Sequence, residues 1–370
     1  MSNEQKTTNN NEQQRTMSDT KHILSRAECS ALRGIAILGI FLHNYCHWLK
    51  GIVRENEYTF HIGNSEGMWH AMTSPDGNLP LHLLSFFGHY GVPVFLFLSG
   101  YGLVLKYENS SKPVAEWPFL RYHFLKLFKM MIVGFVAFTI IDMITPNRHH
   151  YQALDIIAQL GMFNNLLPDP DHIIWPGPYW FFGLMMQLYI VYRLVLYRRH
   201  WGLTVALMVV CWLLQMVCDP TGDTLNRLRY NFIGGILPFG LGLLVGRFSW
   251  TGSLPPLVKR NSVFMLFISL ALIFLFSFNY QTWYFVPVFI ISASVALVKL
   301  LPAAVNRQLD WMGSISAALF VCHPILRKIF IPMSLWGDVY AGLLLYIVSS
   351  VCVAWVFKLL MDKMPSPRKV

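Results

Sequence analysis

Three side chains in the first long apolar stretch, residues 32–48, are of types that do chemistry: Arg33, His43 and His47. An imidazole takes up or gives a proton near neutral pH, and a guanidinium binds anions such as phosphate. In a helix that rises about 1.5 Å per residue, His43 lies roughly 15 Å beyond Arg33, near the middle of a hydrocarbon core about 30 Å thick. A polar ring is costly there without a partner or a water-filled cavity. His43 is therefore either a functional group or a packing histidine bonded to a neighbouring helix.

Polar and aromatic groups in later apolar stretches are further candidates, each with a structural alternative. Ser99 either donates to a reacting carbonyl or lets two helices approach closely, and packing is the more common role of such small residues. Tyr179 and Trp180 form either an aromatic wall of a binding site or an interfacial belt at a helix start. His323 is either a second pocket histidine or a partner for the carbonyl that Pro324 leaves free.

The elements that must position these residues are membrane helices. Of 370 residues, 55% are hydrophobic and only 13% are charged, about half the charged share of soluble domains. The net charge of +10 would suggest nucleic acid in a soluble chain, but here the positions of the charges matter more, and we expect no nucleic-acid partner. The six cysteines have no metal-ligand spacing, so we expect no metal site.

The predicted fold class is all-α, a polytopic integral membrane protein with about ten transmembrane helices. Residues 1–28 are predicted to form a disordered polar tail, residues 29–362 the membrane domain, and residues 363–370 a short basic tail. The break at 279–281 is short, so nine or eleven helices also fit. The apolar runs of spanning length are 31–49, 84–105, 125–145, 178–197, 201–218, 231–248, 262–279, 281–301, 312–332 and 338–361.

The distribution of Lys and Arg predicts the orientation of these helices. With the N-terminus in the cytoplasm, all but seven of the 29 Lys and Arg fall on the inner side. The positive-inside rule therefore favours a multi-pass topology with both termini cytoplasmic. The seven on the outer side are Lys50, Arg54, Arg148, Arg227, Arg229, Arg327 and Lys328.

Five segments, in order along nearly the whole chain, resemble the acyltransferase 3 family of membrane-bound acyltransferases. In that family an arginine precedes a histidine on the first helix, as Arg33 precedes His43 here. No single segment is specific, but the ordered set is. The segments are Leu-Arg-Gly-Ile-Ala-Ile at 32–37, Gly-Val-Pro-Val-Phe-Leu-Phe-Leu-Ser-Gly-Tyr at 91–101, Phe-Leu-Arg-Tyr-His-Phe-Leu-Lys at 119–126, Tyr-Trp-Phe-Phe at 179–182 with Tyr189, and Gly-Ser-Ile-Ser at 313–316 with Leu319 and His323-Pro324.

The resemblance implies an O-acyltransferase whose donor is an acyl-coenzyme A, with acetyl-coenzyme A preferred. The implied acceptor is a hydroxyl of a cell-envelope polysaccharide or lipid-linked glycan, so the partners are acyl-coenzyme A, the glycan and the lipid bilayer. The implied catalytic residues are His43, His47 and Arg33. The other implied site residues would bind the coenzyme (Arg33, Arg121, Lys126, Ser99 and Tyr101) or the acceptor (Asn44, Tyr179, Trp180 and His323).

The spacing on the first helix leaves the choice of base open. The family's arginine and histidine are usually eleven residues apart, whereas His43 is ten and His47 fourteen residues after Arg33, with Asn44 at eleven. At 100° per residue, the two histidines are about 80° and 40° out of phase with Arg33. The base is therefore His47, or His43 if a local turn adjustment at residues 34–39 restores its phase. Either would take the proton of the acceptor hydroxyl or carry the acyl group as an acyl-imidazole.

Two functions of other classes also fit the sequence. A carrier would pass an acyl group or glycan across the membrane without performing the final transfer. It predicts that replacing His43 or His47 changes flux without abolishing coenzyme A release. A structural scaffold would bind no ligand, and it leaves unexplained why polar and ionisable groups cluster on the first three helices.

Overall fold

The computed structural model describes residues 23–110, 112–249, 258 and 260–368. Residues 1–22 of the predicted polar tail, and the last two residues of the predicted basic tail, lie outside this part. All regular structure in the described residues is helical. The α-helices there are α1 (Arg26–Cys46), α2 (Ile62–Thr73), α3 (Leu79–Phe87), α4 (Gly91–Leu103), α5 (Glu116–Ile144), α6 (Ala153–Leu160), α7 (Pro170–Ile173), α8 (Trp180–Val191), α9 (Trp201–Met216), α10 (Asp223–Tyr230), α11 (Phe232–Phe248), α12 (Ser262–Ser277), α13 (Tyr280–Trp283), α14 (Val286–Leu300), α15 (Ala303–Trp336) and α16 (Val339–Lys363).

The chain is a multi-pass membrane protein. α10 and α11, bent by 45° at their junction, add one more candidate span if they cross together, and α9, α12 and α14 are apolar but shorter. The count of ten therefore stays a prediction, because three of the ten predicted spans correspond to these shorter helices. Within the described residues, six helical segments are long and apolar enough to cross a membrane: Arg26–Cys46, Leu79–Glu108, Glu116–Ile144, Gly177–Leu196, Ala303–Trp336 and Val339–Lys363.

Several helices extend past the apolar stretches that the sequence marks. α5 begins at Glu116 rather than at 125, and α15 begins at Ala303 rather than at 312. The added segments carry charged residues, Glu116 and Arg121 in α5 and Arg307 and Asp310 in α15. A hydropathy window detects only the part of a helix that matches hydrocarbon. The predicted break at 279–281 contains the start of the short helix α13.

α1 packs against α15 and α4, and its first turn is fixed by a capping box. The Ser25 hydroxyl accepts from the Glu28 N–H at 3.2 Å, and the Glu28 carboxylate accepts from the Ser25 N–H at 2.8 Å. Glu28 also pairs with Lys299 of α14 at 2.7 Å. These contacts orient the helix that carries Arg33 and His43.

Two glycines let α1 approach the junction of α3 and α4 closely. A Cβ on Gly88 would lie 2.6 Å from the Cβ of His43 and would overlap the carbonyl of Gly39. A Cβ on Gly91 would overlap the carbonyl of Ala36. Since no side chain fits at such distances, glycine at both positions brings the backbone of α1 against this junction.

The outward surface of the bundle carries large apolar side chains, as a lipid-facing surface does. Phe264 and Phe267 on α12 are 69% and 67% exposed, and Ile140 on α5 and Leu344 on α16 are 58% and 61% exposed. In water such a surface would be an aggregation hazard, whereas lipid tails solvate it. Polar residues such as His89, His323 and Arg327 are buried inside the bundle instead.

Candidate functional site

Two cavities lie inside the helix bundle and share part of their walls. The first, of about 520 Å³, is lined by Arg33 and other cationic side chains, and we call it the basic cavity. The second, of about 280 Å³, is lined by three histidines, and we call it the histidine cavity. Ile40, Phe181 and Phe320 line both, and we call these three residues the partition. The rings of Phe181 and Phe320 lie 5.3 Å apart, so the partition is apolar and packed.

The basic cavity has three cations in its wall and no carboxylate among the described residues that line it. Arg33 comes from α1, Lys126 from α5, and Lys106 from the π-helical turn Val104–Glu108 that follows α4. Lys106 Nζ donates to the Tyr107 hydroxyl at 2.7 Å. The rest of the wall is mainly apolar and aromatic. This combination suits a ligand with an anionic end and a less polar arm.

The histidine cavity holds His43, His47 and His89 as neighbours. The ring centroid of His43 lies 5.0 Å from that of His47 and 5.4 Å from that of His89. His43 Nδ1 lies 2.7 Å from the carbonyl oxygen of Ser85. Because a carbonyl only accepts, Nδ1–H is the donor, and the lone pair of the neutral ring is on Nε2. His43 is thus held in the tautomer that offers Nε2 as a proton acceptor.

No comparable hydrogen bond fixes the rings of His47 and His89. His47 Nδ1 and both ring nitrogens of His89 are buried without a hydrogen-bond partner among the described residues. Buried polar atoms of this kind are uncommon and costly. Sequence reasoning missed His89, which lies in the turn Gly88–Tyr90 before α4. Its position inside the predicted span 84–105 was the available signal, since the same criterion selected His43.

The turn adjustment proposed to restore the phase of His43 does not occur, because α1 is a continuous α-helix from Arg26 to Cys46. Arg33 and His43 instead line different cavities, and Ile40 lines both. Ile40 is seven residues after Arg33 and three before His43, so it shares a helical face with each. Arg33 and His43, ten residues apart, can therefore line different cavities on the same helix.

Aromatic rings and a carboxylate form another wall of the histidine cavity. Tyr58 and Tyr230 stack with centroids 4.1 Å apart, and Trp180 meets Tyr58 edge-on at 5.5 Å. The Tyr230 hydroxyl donates to Asp171 Oδ1 at 2.6 Å. Flat rings beside fixed polar atoms can bind a sugar through its apolar face and its hydroxyls.

Two glutamates in the loop after α1 have raised pKa values. Burial raises the pKa of Glu57, which lines the histidine cavity, to about 7, and Arg229 partly offsets this effect. Burial raises the pKa of Glu55 to about 8, against the lowering effect of hydrogen bonds from Asn64 and the backbone of Asn56. Both carboxyls therefore keep a proton at mildly acidic pH.

The structure brings seven of the predicted site residues to the two cavities. Ser99 also donates its hydroxyl to the Phe95 carbonyl at 2.8 Å, so it combines a backbone contact with a place in the wall. Arg33, Lys126 and Ser99 line the basic cavity, and His43, His47, Asn44 and Trp180 line the histidine cavity.

Four predicted site residues line neither cavity: Arg121, Tyr101, Tyr179 and His323. Arg121 is exposed on α5. The Tyr101 hydroxyl lies 3.4 Å from both the N–H and the carbonyl of Leu24, and the Tyr179 hydroxyl donates to the Val321 carbonyl at 2.9 Å. His323 Nδ1–H donates to the Leu319 carbonyl at 3.2 Å. Tyr101, Tyr179 and His323 thus have structural partners in the packed helices.

Arg327 of α15 is a cavity residue that sequence reasoning treated only as an outer-side cation. It lines the histidine cavity and is 8% exposed. Its position within the predicted span 312–332 was the missed signal, because an ionisable group inside a span is a candidate for function. No group of three or more His, Cys, Asp or Glu side chains in the described residues is arranged to hold a metal ion.

Comparison with known proteins gives one match. A family model described as an acyltransferase domain, that of the acyltransferase 3 family, matches residues 27–359, nearly the whole chain. The resemblance seen in the five sequence segments is thereby confirmed. No curated protein and no solved structure matches the chain.

Proposed function

The chain belongs to the acyltransferase 3 family, and we propose that it transfers an acyl group, with acetyl preferred, from acyl-coenzyme A to a hydroxyl of a cell-envelope polysaccharide or lipid-linked glycan. The observation that carries this proposal is the pair of cavities that meet at the partition. One cavity has the charge to bind a coenzyme, and the other has an oriented histidine and aromatic walls. A group transfer requires that donor and acceptor meet at one catalytic group.

The basic cavity is the proposed donor site. Coenzyme A carries phosphates at one end and the thioester at the other. Arg33, Lys106 and Lys126 would bind the phosphates through charge-assisted hydrogen bonds, and the apolar wall would direct the thioester toward the partition. The predicted orientation puts Arg33 at the cytoplasmic end of α1, on the side where acyl-coenzyme A is found.

His43 is the proposed general base. Its Nε2 would take the proton of the acceptor hydroxyl as the hydroxyl oxygen attacks the acyl carbonyl carbon. The carbon–sulfur bond then breaks, and the coenzyme A thiolate leaves and takes up the proton. In the other version of the mechanism, Nε2 attacks the carbonyl carbon first, the carbon–sulfur bond breaks, and coenzyme A leaves as the thiolate. The acceptor hydroxyl oxygen then attacks the acyl-imidazole, the carbon–nitrogen bond breaks to restore Nε2, and the hydroxyl proton goes to the thiolate. Both versions require the Nδ1–H tautomer that the Ser85 carbonyl selects.

The test is release of coenzyme A from acetyl-coenzyme A by the purified full-length protein in detergent, with a crude lipid-linked glycan extract as acceptor. We expect His43→Gln to lower kcat by at least about 100-fold and His47→Gln by less than about tenfold. Each variant must be monodisperse with an unchanged unfolding temperature. Loss of coenzyme A release in His47→Gln but not in His43→Gln would identify His47 as the base. A folded wild type that releases no coenzyme A would contradict the proposed transfer and favour a carrier of the glycan.

A further inference from the structure

Arg327 is a buried cation whose partners in the described residues are all neutral. Its Nη1 lies 3.4 Å from both the backbone carbonyl and the side-chain oxygen of Asn44. Its guanidinium carbon lies 5.0 Å from the centre of the Trp48 ring. Both contacts are long, and neither supplies a negative charge.

Two other basic residues inside the bundle, Arg247 and Lys328, have a carboxylate within reach. Arg247 makes two bonds of 2.8 Å to Glu108, and Lys328, the residue after Arg327, pairs with Asp142. Arg327 forms no ion pair with any described carboxylate. A buried charge without a counter-charge is strongly unfavourable, so a site that keeps one is prepared for an anion.

Arg229 is also buried without an ion pair, but its guanidinium is held by close neutral partners, as expected of an arginine with a structural role. Its guanidinium donates to Gln215 Oε1 at 3.0 Å and to the backbone carbonyl of Glu57, and it lies over the Trp283 ring. Arg229 lines neither cavity. Arg327 differs because it faces the cavity that holds His43 and makes weaker contacts.

We propose that Arg327 binds a carboxylate or phosphate group of the acceptor, so that the acceptor of the proposed transfer is an anionic glycan. This inference rests on the proposed function, because it takes the histidine cavity as the acceptor site. Arg327 would make a charge-assisted pair with the anionic group, and this pair would place a neighbouring hydroxyl at His43. The cavity of about 280 Å³ suits one sugar unit rather than a long chain.

The acidic residues of the same cavity do not prevent an anion from binding. Asp171 already accepts from the Tyr230 hydroxyl and from Asn226 Nδ2, each at 2.6 Å. Burial raises the pKa of Glu57 to about 7, so a large share of this carboxyl is neutral near physiological pH. Among the described residues that line this cavity, Arg327 is the one Lys or Arg, so it is the cation available to an incoming anion.

The test compares two sugars that differ only in charge, D-glucuronate and its neutral methyl ester. Binding to the full-length protein in nanodiscs is measured by thermal-shift titration. We expect wild type to bind glucuronate at least about tenfold more tightly than the ester. Arg327→Gln should remove this preference and leave ester binding unchanged, and Arg327→Lys should keep part of it. Arg227→Gln, which removes an exposed arginine of α10, is the matched control.

A second arm uses D-glucose 1-phosphate and inorganic phosphate. Tighter binding of either anionic sugar than of neutral sugars supports the inference, and the preferred sugar identifies carboxylate or phosphate as the anionic group. The inference is overturned if, in wild type, glucuronate binds no more tightly than its ester and D-glucose 1-phosphate binds no more tightly than neutral glucose. This comparison needs no mutant to fold. A preference that survives Arg327→Gln would overturn it as well. Coenzyme A release in the same preparation separates the two claims, because turnover without anion preference contradicts only this inference.

Discussion

At the scale of single residues, the basic side chains of α1 and α5 allow the donor site to be tested with a control on the same helix. Lys126 and Arg121 are both exposed on α5, but Lys126 lines the basic cavity, whereas Arg121, five residues earlier, lines neither cavity. We expect Lys126→Gln and Arg33→Gln each to raise the KM for acetyl-coenzyme A by about tenfold, because each loses a charge-assisted bond to phosphate. Arg121→Gln should leave the KM within about twofold.

Steady-state kinetics at several acetyl-coenzyme A concentrations measure this difference. A lower kcat with unchanged KM would place Arg33 or Lys126 in the chemical step instead. Equal effects of all three substitutions would mean that the charge of the surface, and not the cavity, binds the coenzyme.

Glu55 predicts how stability depends on pH. It is 2% exposed, and burial raises its pKa from 4.5 to about 8. Between these two values the folded protein holds a proton that the unfolded chain releases, so stability falls as pH rises, by at most about 1.4 kcal/mol per pH unit. Thermal unfolding measured from about pH 5 to about pH 8 should show a shallower decline in Glu55→Gln than in wild type. Glu66→Gln, an exposed position on α2, should keep the wild-type slope.

Sequence reasoning found some, but not all, of the cavity residues whose type is unusual for a membrane span. His43 and Arg33 were found because a charged or titratable group in an apolar stretch is conspicuous. Arg327 and His89 meet the same criterion, but Arg327 was counted as an outer-side charge and His89 was not considered. The Ser85 carbonyl that selects the tautomer of His43 is a backbone group, so no side-chain pattern could reveal it.

At the scale of helices, the crossing of α1 with the α3–α4 junction positions His43, the proposed base. Gly88→Ala would place a methyl group 2.6 Å from the Cβ of His43 and into the Gly39 carbonyl. We expect it to destabilise the protein by about 1–3 kcal/mol and to lower kcat, because relieving the overlap moves His43 away from Ser85. Gly63→Ala in α2, where a new Cβ would meet nothing within 4 Å, is the control.

Thermal unfolding and coenzyme A release, measured on both glycine variants, check this prediction. Unchanged turnover in Gly88→Ala would show that the close approach is not needed to orient His43. A similar loss in Gly63→Ala would point to a general effect of substituting alanine for glycine.

The positions of the helices could be predicted from hydropathy, whereas the contacts between helices and loops could not. The apolar stretches located the helices that carry the site, because a membrane helix must be apolar over its whole span. They could not show that Tyr58 of the loop after α1 stacks on Tyr230 of α10, since that contact joins residues far apart in sequence. The wall of the histidine cavity is built largely from such contacts.

At the scale of the whole molecule, the central feature is that two unlike cavities share an apolar partition. In the proposed transfer, the basic cavity would bind the anionic donor, and the histidine cavity would present a base to the acceptor. Ile40, Phe181 and Phe320 would keep water in one cavity from reaching the thioester or the base in the other. In an acyltransferase, this separation favours transfer to a sugar hydroxyl over hydrolysis.

The partition therefore predicts both a limit on acyl length and a barrier to hydrolysis. Phe181 contacts Phe320 at 5.3 Å and is only partly buried, so Phe181→Ala opens the partition with a smaller packing loss than Phe320→Ala. We expect Phe181→Ala to raise acetyl-coenzyme A hydrolysis in the absence of acceptor, and to improve use of butyryl- relative to acetyl-coenzyme A by about tenfold. Phe264→Ala, which removes a ring 69% exposed on the outward face of α12, should change neither rate. Phe181→Ala could instead transfer acetyl groups at the wild-type rate, with no added hydrolysis and no change in chain-length preference. In that case these rings do not separate the two cavities during catalysis, and the acyl group takes another path between them.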